Sequence, residues 1–333
     1  MIKLAIDFGS SMTKIYRADT NSGIVLSEPS CIAVNDGQEI KAIGKAAKNL
    51  IGKTAEYTQI VRPIQDGLIV DRALAVSMLK DFLSRIGITK SALKKALVLI
   101  SIPCGLGEEE LSEYVALTEE CDLRKVRFVE QPYLAALGGG AALSETDPIF
   151  CLDIGGGIAN AAVISANGII AGIALNVGGS KIDKSIMKTM RDEHQLTIGE
   201  LTAERMKNYI GSLAAGSGGA MVVEGSSTEN YQPSSKSVQS AHIKPTIRMC
   251  VDQIVDYAMG VLWNLPAEVA AAVHRNGVYL SGGMMKLTQA PQYVAGKLNM
   301  RYHIMEEPQY ATVLGGGVLL QDKELLHRFA KKD

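Results

Sequence analysis

The chain has no excess charge of either sign. Its 333 residues carry 34 Lys and Arg against 35 Asp and Glu, a formal net charge of −1. A protein that wraps nucleic acid or adsorbs strongly to anionic lipid needs a basic face, so no nucleic-acid partner is expected and any lipid contact must be local. Clustered cysteines are also lacking. Cys31, Cys104, Cys121, Cys151 and Cys250 are odd in number, scattered and mostly inside apolar runs, which points to reduced thiols rather than a disulfide framework or a zinc site. No apolar run approaches the roughly 20 residues that span a bilayer. A strand pattern begins at Ile2, leaving no room for a charged region followed by an apolar one, so a cytoplasmic location is expected. Neither GxxxxGK[ST] nor GxGxxG occurs, which argues against a Walker ATPase and a Rossmann dehydrogenase.

What the chain does have is apolar material, 47% of its residues, enough to fill two lobes at this length. Ile2 to Tyr16 (IKLAIDFGSSMTKIY) and Ile149 to Ile164 (IFCLDIGGGIANAAVI) look alike: an apolar run ends in an acid, small residues follow, and a second apolar run returns. Each predicts a β-hairpin whose turn bears an aspartate, Asp7 or Asp153. Their separation of nearly half the chain predicts two related lobes, not a solenoid. Helices are expected at Ala73 to Arg85, with Leu74, Met78, Leu79 and Phe82 on one face, at Leu111 to Glu120, and after Ser180 as cap, with Ile182, Ile186, Met187 and Met190. Strands interleaved with helices indicate a mixed α/β fold. The Gly- and Ser-rich stretch from Ala214 to Lys236 is expected to be an exposed loop region.

Phosphate binding needs backbone N–H groups turned inward and a backbone that can approach the ligand, which favours glycine and small residues in tight turns. Asp7-Phe8-Gly9-Ser10-Ser11 and Asp153-Ile154-Gly155-Gly156-Gly157 both offer this. Either acid could hold a hydrated Mg²⁺, and Lys14 could reach a phosphate as a point charge. Gly277-Val278-Tyr279-Leu280-Ser281-Gly282-Gly283 suits the approach of a base and ribose, Val177-Gly178-Gly179-Ser180 precedes a helix, and Gly315-Gly316-Gly317 closes a short apolar run.

Together these residues resemble the superfamily of actin, sugar kinases and heat-shock chaperone ATPases. DFGSSMTK (Asp7 to Lys14) is similar to its first phosphate turn, DIGGG (Asp153 to Gly157) to the second and GVYLSGG (Gly277 to Gly283) to its adenosine motif. Within it the chain resembles, nearly end to end, the MreB family of filament-forming bacterial rod-shape proteins. Glu28-Pro29-Ser30, Arg62-Pro63-Ile64-Gln65-Asp66-Gly67, Ile102-Pro103-Cys104-Gly105, Glu130-Gln131-Pro132 and the run from Gly199 to Lys207 (GELTAERMK) stand in that family's order, with RPxxDG and TAERxK the most discriminating.

The resemblance implies an actin-like fold of two lobes, each with a duplicated RNase H-like α/β core and a smaller outer subdomain, closing on Mg-ATP. Lobe I is expected over 1–144 plus 318–333, with its outer subdomain about 31–64, and lobe II over 145–317, with its outer subdomain about 178–246. It implies Asp7 and Asp153 near Mg²⁺. Around the nucleotide it implies Gly9, Ser10, Ser11, Met12, Lys14, Gly155, Gly156, Gly157, Gly178, Gly179, Gly282, Gly283 and Met284. Glu204 and Lys207, one helical turn apart, would reach ribose and base, and Glu130 would orient the attacking water. The implied partners are further copies of the chain stacked head to tail, other actin-like paralogues, and membrane or cell-wall machinery, with weak lipid contact near Ile88 and Leu93. The alternative within the fold is a segregating filament of the ParM kind. A chaperone is disfavoured because little chain follows the last glycine cluster, and a sugar kinase because no sugar-binding acid stands apart. The chain departs from the family in two respects: the amphipathic N-terminal anchoring helix of some relatives is not expected, and Ile158-Ala159-Asn160 stands after the second turn where the family continues with Thr residues and an acid, so ATP hydrolysis is expected to be slow.

Overall fold

Both like segments fold as hairpins: Lys3–Phe8 pairs antiparallel with Met12–Arg17, and Ile149–Ile154 with Ala159–Ser165. The computed structural model describes residues 1–20, 22–53, 57–216 and 218–329. Each hairpin seeds a five-stranded sheet. Gly23–Pro29 extends the first on one side, while Leu97–Ile102 and Lys125–Glu130 extend it in parallel on the other. Gly168–Leu175, Val278–Ser281 and Tyr302–Ile304 do the same for the second. Counted along the chain within each sheet, both strand orders read 3-2-1-4-5. The fold is therefore a duplicated α/β core, as expected. Strand Ile149–Ile154 is buried at every position, the signature of a strand covered on both faces.

Helices Arg72–Arg85 and Glu108–Glu120 lie where periodicity places them; Asp71 caps the first by accepting from the Leu74 N–H (2.9 Å). The helix Gly179–His194 buries Ile182, Ile186 and Met190, but Gly178 and not Ser180 stands at its cap. The reason is local: the Gly179 and Ser180 N–H groups donate to the carbonyls of Gly155 and Gly156 (3.0 and 2.8 Å), so the second glycine turn satisfies the helix end without a side chain.

Two expectations are overturned here. The Gly- and Ser-rich stretch contains a hairpin, Ala220–Ser227 with Pro233–Gln239, joined by Leu196–Thr197 into a three-stranded sheet. Of its two long strands only Val223 and Val238 are fully buried, on separate rungs opposite Lys236 and Met221, so a largely polar ladder is anchored at two apolar positions. Ile88 and Leu93 are buried in the core around the first sheet, with Thr89 capping the short helix between them. Neither side chain is available to a lipid surface. Among the described residues no helix is long and apolar enough to cross a membrane.

The sheets meet through the helices Gln131–Gly138 and Ala311–Gln321, which contribute to a buried cluster with Ala5 and Leu99 of the first sheet and Cys151 and Ala162 of the second. The helices touch backbone to backbone. A Cβ on Gly315 would lie 1.8 Å from the Leu134 carbonyl oxygen, a separation no side chain tolerates. Farther along, Gly316 and Gly317 rest on Ala5 and Tyr16, so the expected lobe boundary at 317/318 falls inside one continuous helix. Residues 330–333 of the expected first lobe lie outside the described residues. Alanine favours a helix over glycine by about 1 kcal/mol, yet Gly315→Ala is expected to cost at least about 2 kcal/mol, because the helices must separate. Urea unfolding measures this, and an unchanged midpoint would refute the close packing.

Candidate functional site

Asp7 and Asp153 sit at corresponding ends of the two hairpins' first strands, 6% and 7% exposed. Each takes a hydroxyl donor from the adjacent parallel strand: Ser101 donates to Asp7 (3.0 Å) and Ser281 to Asp153 (2.8 Å). Lys14, opposite Asp7 in the hairpin register, donates to its other oxygen at 2.7 Å. The residue opposite Asp153 is Asn160, so the second acid faces a neutral amide where the first faces a cation. Burial pushes the Asp153 carboxyl above the usual range, the Ser281 hydroxyl opposes this, and the charge of Asp7 adds to it.

The two turns face one another closely enough that only glycine fits in the second. A Cβ on Gly156 would lie 2.3 Å from the Ser11 Cβ, and one on Gly157 2.7 Å from the Ser10 Cβ. The RPxxDG element holds the first turn from the side: the Gly67 N–H donates to Ser10 Oγ (2.9 Å), and the Gly67 carbonyl accepts from Tyr114 (2.8 Å). Between the turns opens a cleft of about 510 Å³, a size that suits a small-molecule or cofactor ligand.

Most of the expected residues meet in this cleft. Asp7, Gly9, Ser10, Ser11, Met12 and Lys14 line it from one side. Asp153, Gly155, Gly156, Gly157, Gly179, Glu204, Lys207, Gly282, Gly283 and Met284 line it from the other. Gly178 stands behind, where a Cβ would come within 2.7 Å of the Gly156 carbonyl oxygen. Glu204 and Lys207 do not pair with each other. Lys207 donates to Asp183 (2.8 Å) and to the Gly179 carbonyl (3.1 Å), and Glu204 binds Lys48 at 2.7 Å.

Glu130 is the exception that matters. It ends its strand, its side chain accepts from the Gly105 N–H (3.0 Å), and it does not line the cleft. Together with burial, its charge pushes the Cys104 thiol up to about 12. The next residue, Gln131, begins the following helix, is buried, and does line the cleft. Its Oε1 accepts from Asn160 Nδ2 (3.0 Å), and Asn160 Oδ1 accepts from the Cys104 N–H (3.1 Å). Ile158 lines the cleft as well, whereas Ala159 is a fully buried strand residue in the second lobe's core. The motif Glu130-Gln131-Pro132 was the available signal for Gln131; which of its first two residues faces inward was not written in it.

Among the described residues, no cluster of three or more His, Cys, Asp or Glu side chains gathers as a metal cage. Two strand-end carboxylates beside phosphate-sized turns fit Mg²⁺, which takes one or two carboxylates and fills its shell with water and phosphate oxygens.

Comparison with known proteins agrees with this geometry. The chain is 30% identical to the cell shape-determining protein MreB of Escherichia coli K12 over 324 residues, 96% of this chain and 93% of the relative. It is 29% identical to the cell shape-determining protein Mbl of Bacillus subtilis, covering 97% of each chain. The crystal structure of MreB 5 of Spiroplasma citri bound to AMPPNP superposes with a TM-score of 0.91 at 27% identity, over 99% of this chain and 98% of that one. The MamK double helical filament superposes with a TM-score of 0.80 over 96% of this chain and 99% of that one, at 15% identity, a likeness of fold alone. The family model described as MreB/Mbl protein matches residues 1–328, and with nearly the whole chain so matched, the protein belongs to the MreB/Mbl family.

Proposed function

We propose that this chain is a cytoplasmic, actin-like cytoskeletal protein that binds Mg-ATP between its lobes and assembles head to tail into filaments that guide cell shape or wall synthesis. The observation that carries the reading is the pair of acid-bearing turns packed face to face across one cleft, in a chain whose relatives are cell shape-determining proteins. The Spiroplasma citri relative has been solved with AMPPNP and with ADP, which supports a nucleotide as the ligand.

In this reading the backbone N–H groups of Gly9 to Met12 and Gly155 to Gly157 cradle the phosphates, and Lys14 turns from Asp7 to a phosphate oxygen. Mg²⁺, when bound, supplies positive charge to the phosphate oxygens. Asp7 and Asp153 hold its water shell. Gly282, Gly283 and Met284 border the base, and Glu204 and Lys207 the ribose side. The proposed hydrolysis is slow: Gln131 can position a water but cannot accept its proton, and Ile158 brings no hydroxyl.

Head-to-tail contacts propagate when their rotation does not close a ring, and near-neutral net charge lets copies approach. Pelleting and light scattering with and without Mg-ATP test the reading. Material that pellets with Mg-ATP and not without nucleotide is expected; a protein that stays monomeric over a wide range of concentration and salt removes the filament reading even with nucleotide bound.

A further inference from the structure

Deep in the molecule the nucleotide cleft is closed by its glycine turns, but at its outer end the two lobes meet through charged side chains. Lys48 lies in the short helix Lys45–Lys48 and Arg62 just after the strand Thr58–Val61, both in the small sheet unit inserted into the first lobe. Their partners lie on the helix Glu200–Ile210 of the second lobe. Lys48 bonds Glu204 at 2.7 Å, and Arg62 grips Glu200 with two nitrogens, at 2.5 and 3.3 Å. Partners 156 and 138 residues apart in sequence are thus joined across the cleft. Among the described residues, the hydrogen bonds between these two outer units are those of these two pairs.

The pairs do not stand alone on the surface. They border a small space of about 40 Å³ whose lining includes Lys48, Arg62 and Lys207 together with Asp183, Glu200 and Glu204. Lys207 and Asp183, each 8% exposed, anchor its floor, while Lys48, Arg62, Glu200 and Glu204 are about a third exposed. Three positive and three negative groups balance here, each cation bonded to one of the acids, so the opposite charges are paired when the cleft is closed. Two of the six, Glu204 and Lys207, also line the nucleotide cleft. The same helix therefore carries residues facing the ligand and residues gripping the opposite lobe.

We infer that Lys48 and Arg62 are positioning residues: they clamp the helix Glu200–Ile210 to the first lobe, hold Glu204 beside the ligand, and set how long a nucleotide stays. The inference rests on nucleotide occupying the cleft. A ligand seated between the lobes leaves only when they part, and parting breaks both pairs. Each pair is about a third exposed, and exposed pairs contribute about 0.2 to 1 kcal/mol, a factor of roughly 1.4 to 5. Reversing one charge replaces attraction by repulsion and doubles the effect's reach without touching the ligand.

Arg62–Glu200 is the pair to test, because neither residue lines the nucleotide cleft. Arg62→Glu and Glu200→Arg are each expected to speed dissociation of radiolabelled AMPPNP with Mg²⁺, measured by rapid filtration at monomeric protein concentration, about fivefold. The double variant, which restores an opposite-charge pair, is expected to return to within about twofold of the native rate. A residue that only stabilised its own lobe would not be rescued by a charge swap on the other. If the native protein holds AMPPNP and either single variant releases it at the native rate, or the double variant is no slower than the singles, the clamp is refuted while nucleotide binding stands. If the native protein holds no AMPPNP, the functional reading fails first.

Discussion

Asp153→Ala is expected to weaken Mg-ATP binding about a hundredfold and to leave the melting temperature unchanged or slightly raised. The two effects part because the carboxylate serves the ligand at the expense of the fold. Burial raises the Asp153 carboxyl above its usual range, so its ionised form costs folding free energy rather than supplying it. The sign follows from linkage: a carboxyl with a raised folded pKa brings no penalty below its unfolded pKa and the full penalty above its folded one. Alanine removes that penalty and leaves the Ser281 hydroxyl without its acceptor, a loss of about 1 kcal/mol that offsets much of the gain. A charge-assisted contact to the hydrated metal is worth about 1.5 to 3 kcal/mol, which at the upper end is a factor near one hundred. Calorimetric titration with Mg-ATP, beside thermal unfolding of the free protein, reads both numbers. Unchanged affinity would remove Asp153 from the site.

Gln131→Glu is expected to raise γ-phosphate release at least tenfold in single turnover, with ATP affinity little changed. The substitution keeps size and shape, and a carboxylate still accepts the Asn160 amide hydrogen that Gln131 accepts now. What it adds is a group able to take a proton from water. A positioned general base contributes about 10²- to 10⁴-fold, and the lower figure expected here allows for Ile158, which brings no hydroxyl to help hold that water. Ile158→Thr should add to the gain, whereas Ala159→Thr should not, because Ala159 is packed in the core, where a hydroxyl would be buried. Glu130→Gln should leave the native rate as it is, since that carboxylate holds the Gly105 turn. Rapid hydrolysis by the native chain, or no gain from Gln131→Glu, would show that the missing base does not limit the reaction.

These positions also show what the sequence made legible. The acid-bearing turns, the adenosine-type strand and the hairpins could be read because each is a short stretch whose composition dictates its backbone. The choice between Glu130 and Gln131 could not. It depends on where a strand ends and a helix starts, since the side-chain direction alternates by half a turn in one and by a little over a quarter in the other. One residue of phase decides which side chain enters the cleft. The 220–239 hairpin was hidden for a different reason: two valines anchor it, and strand patterning needs more alternation than that to stand out from a polar loop. The pairs Lys48–Glu204 and Arg62–Glu200 were beyond any local reading, because nothing in either segment names a partner in the other lobe.

The serine partners of the two acids have a consequence for how the molecule works. Ser101 belongs to the same sheet as Asp7, and Ser281 to the same sheet as Asp153. Each acid's hydroxyl partner thus comes from inside its own lobe, so its orientation is set without the other lobe. If the lobes close on a nucleotide as proposed, the movement is that of two prefabricated parts, in which no acid must find a new hydroxyl partner. The free energy of such a movement is set by what spans the gap, and a ligand needs only to bridge two surfaces already cast in their working shape.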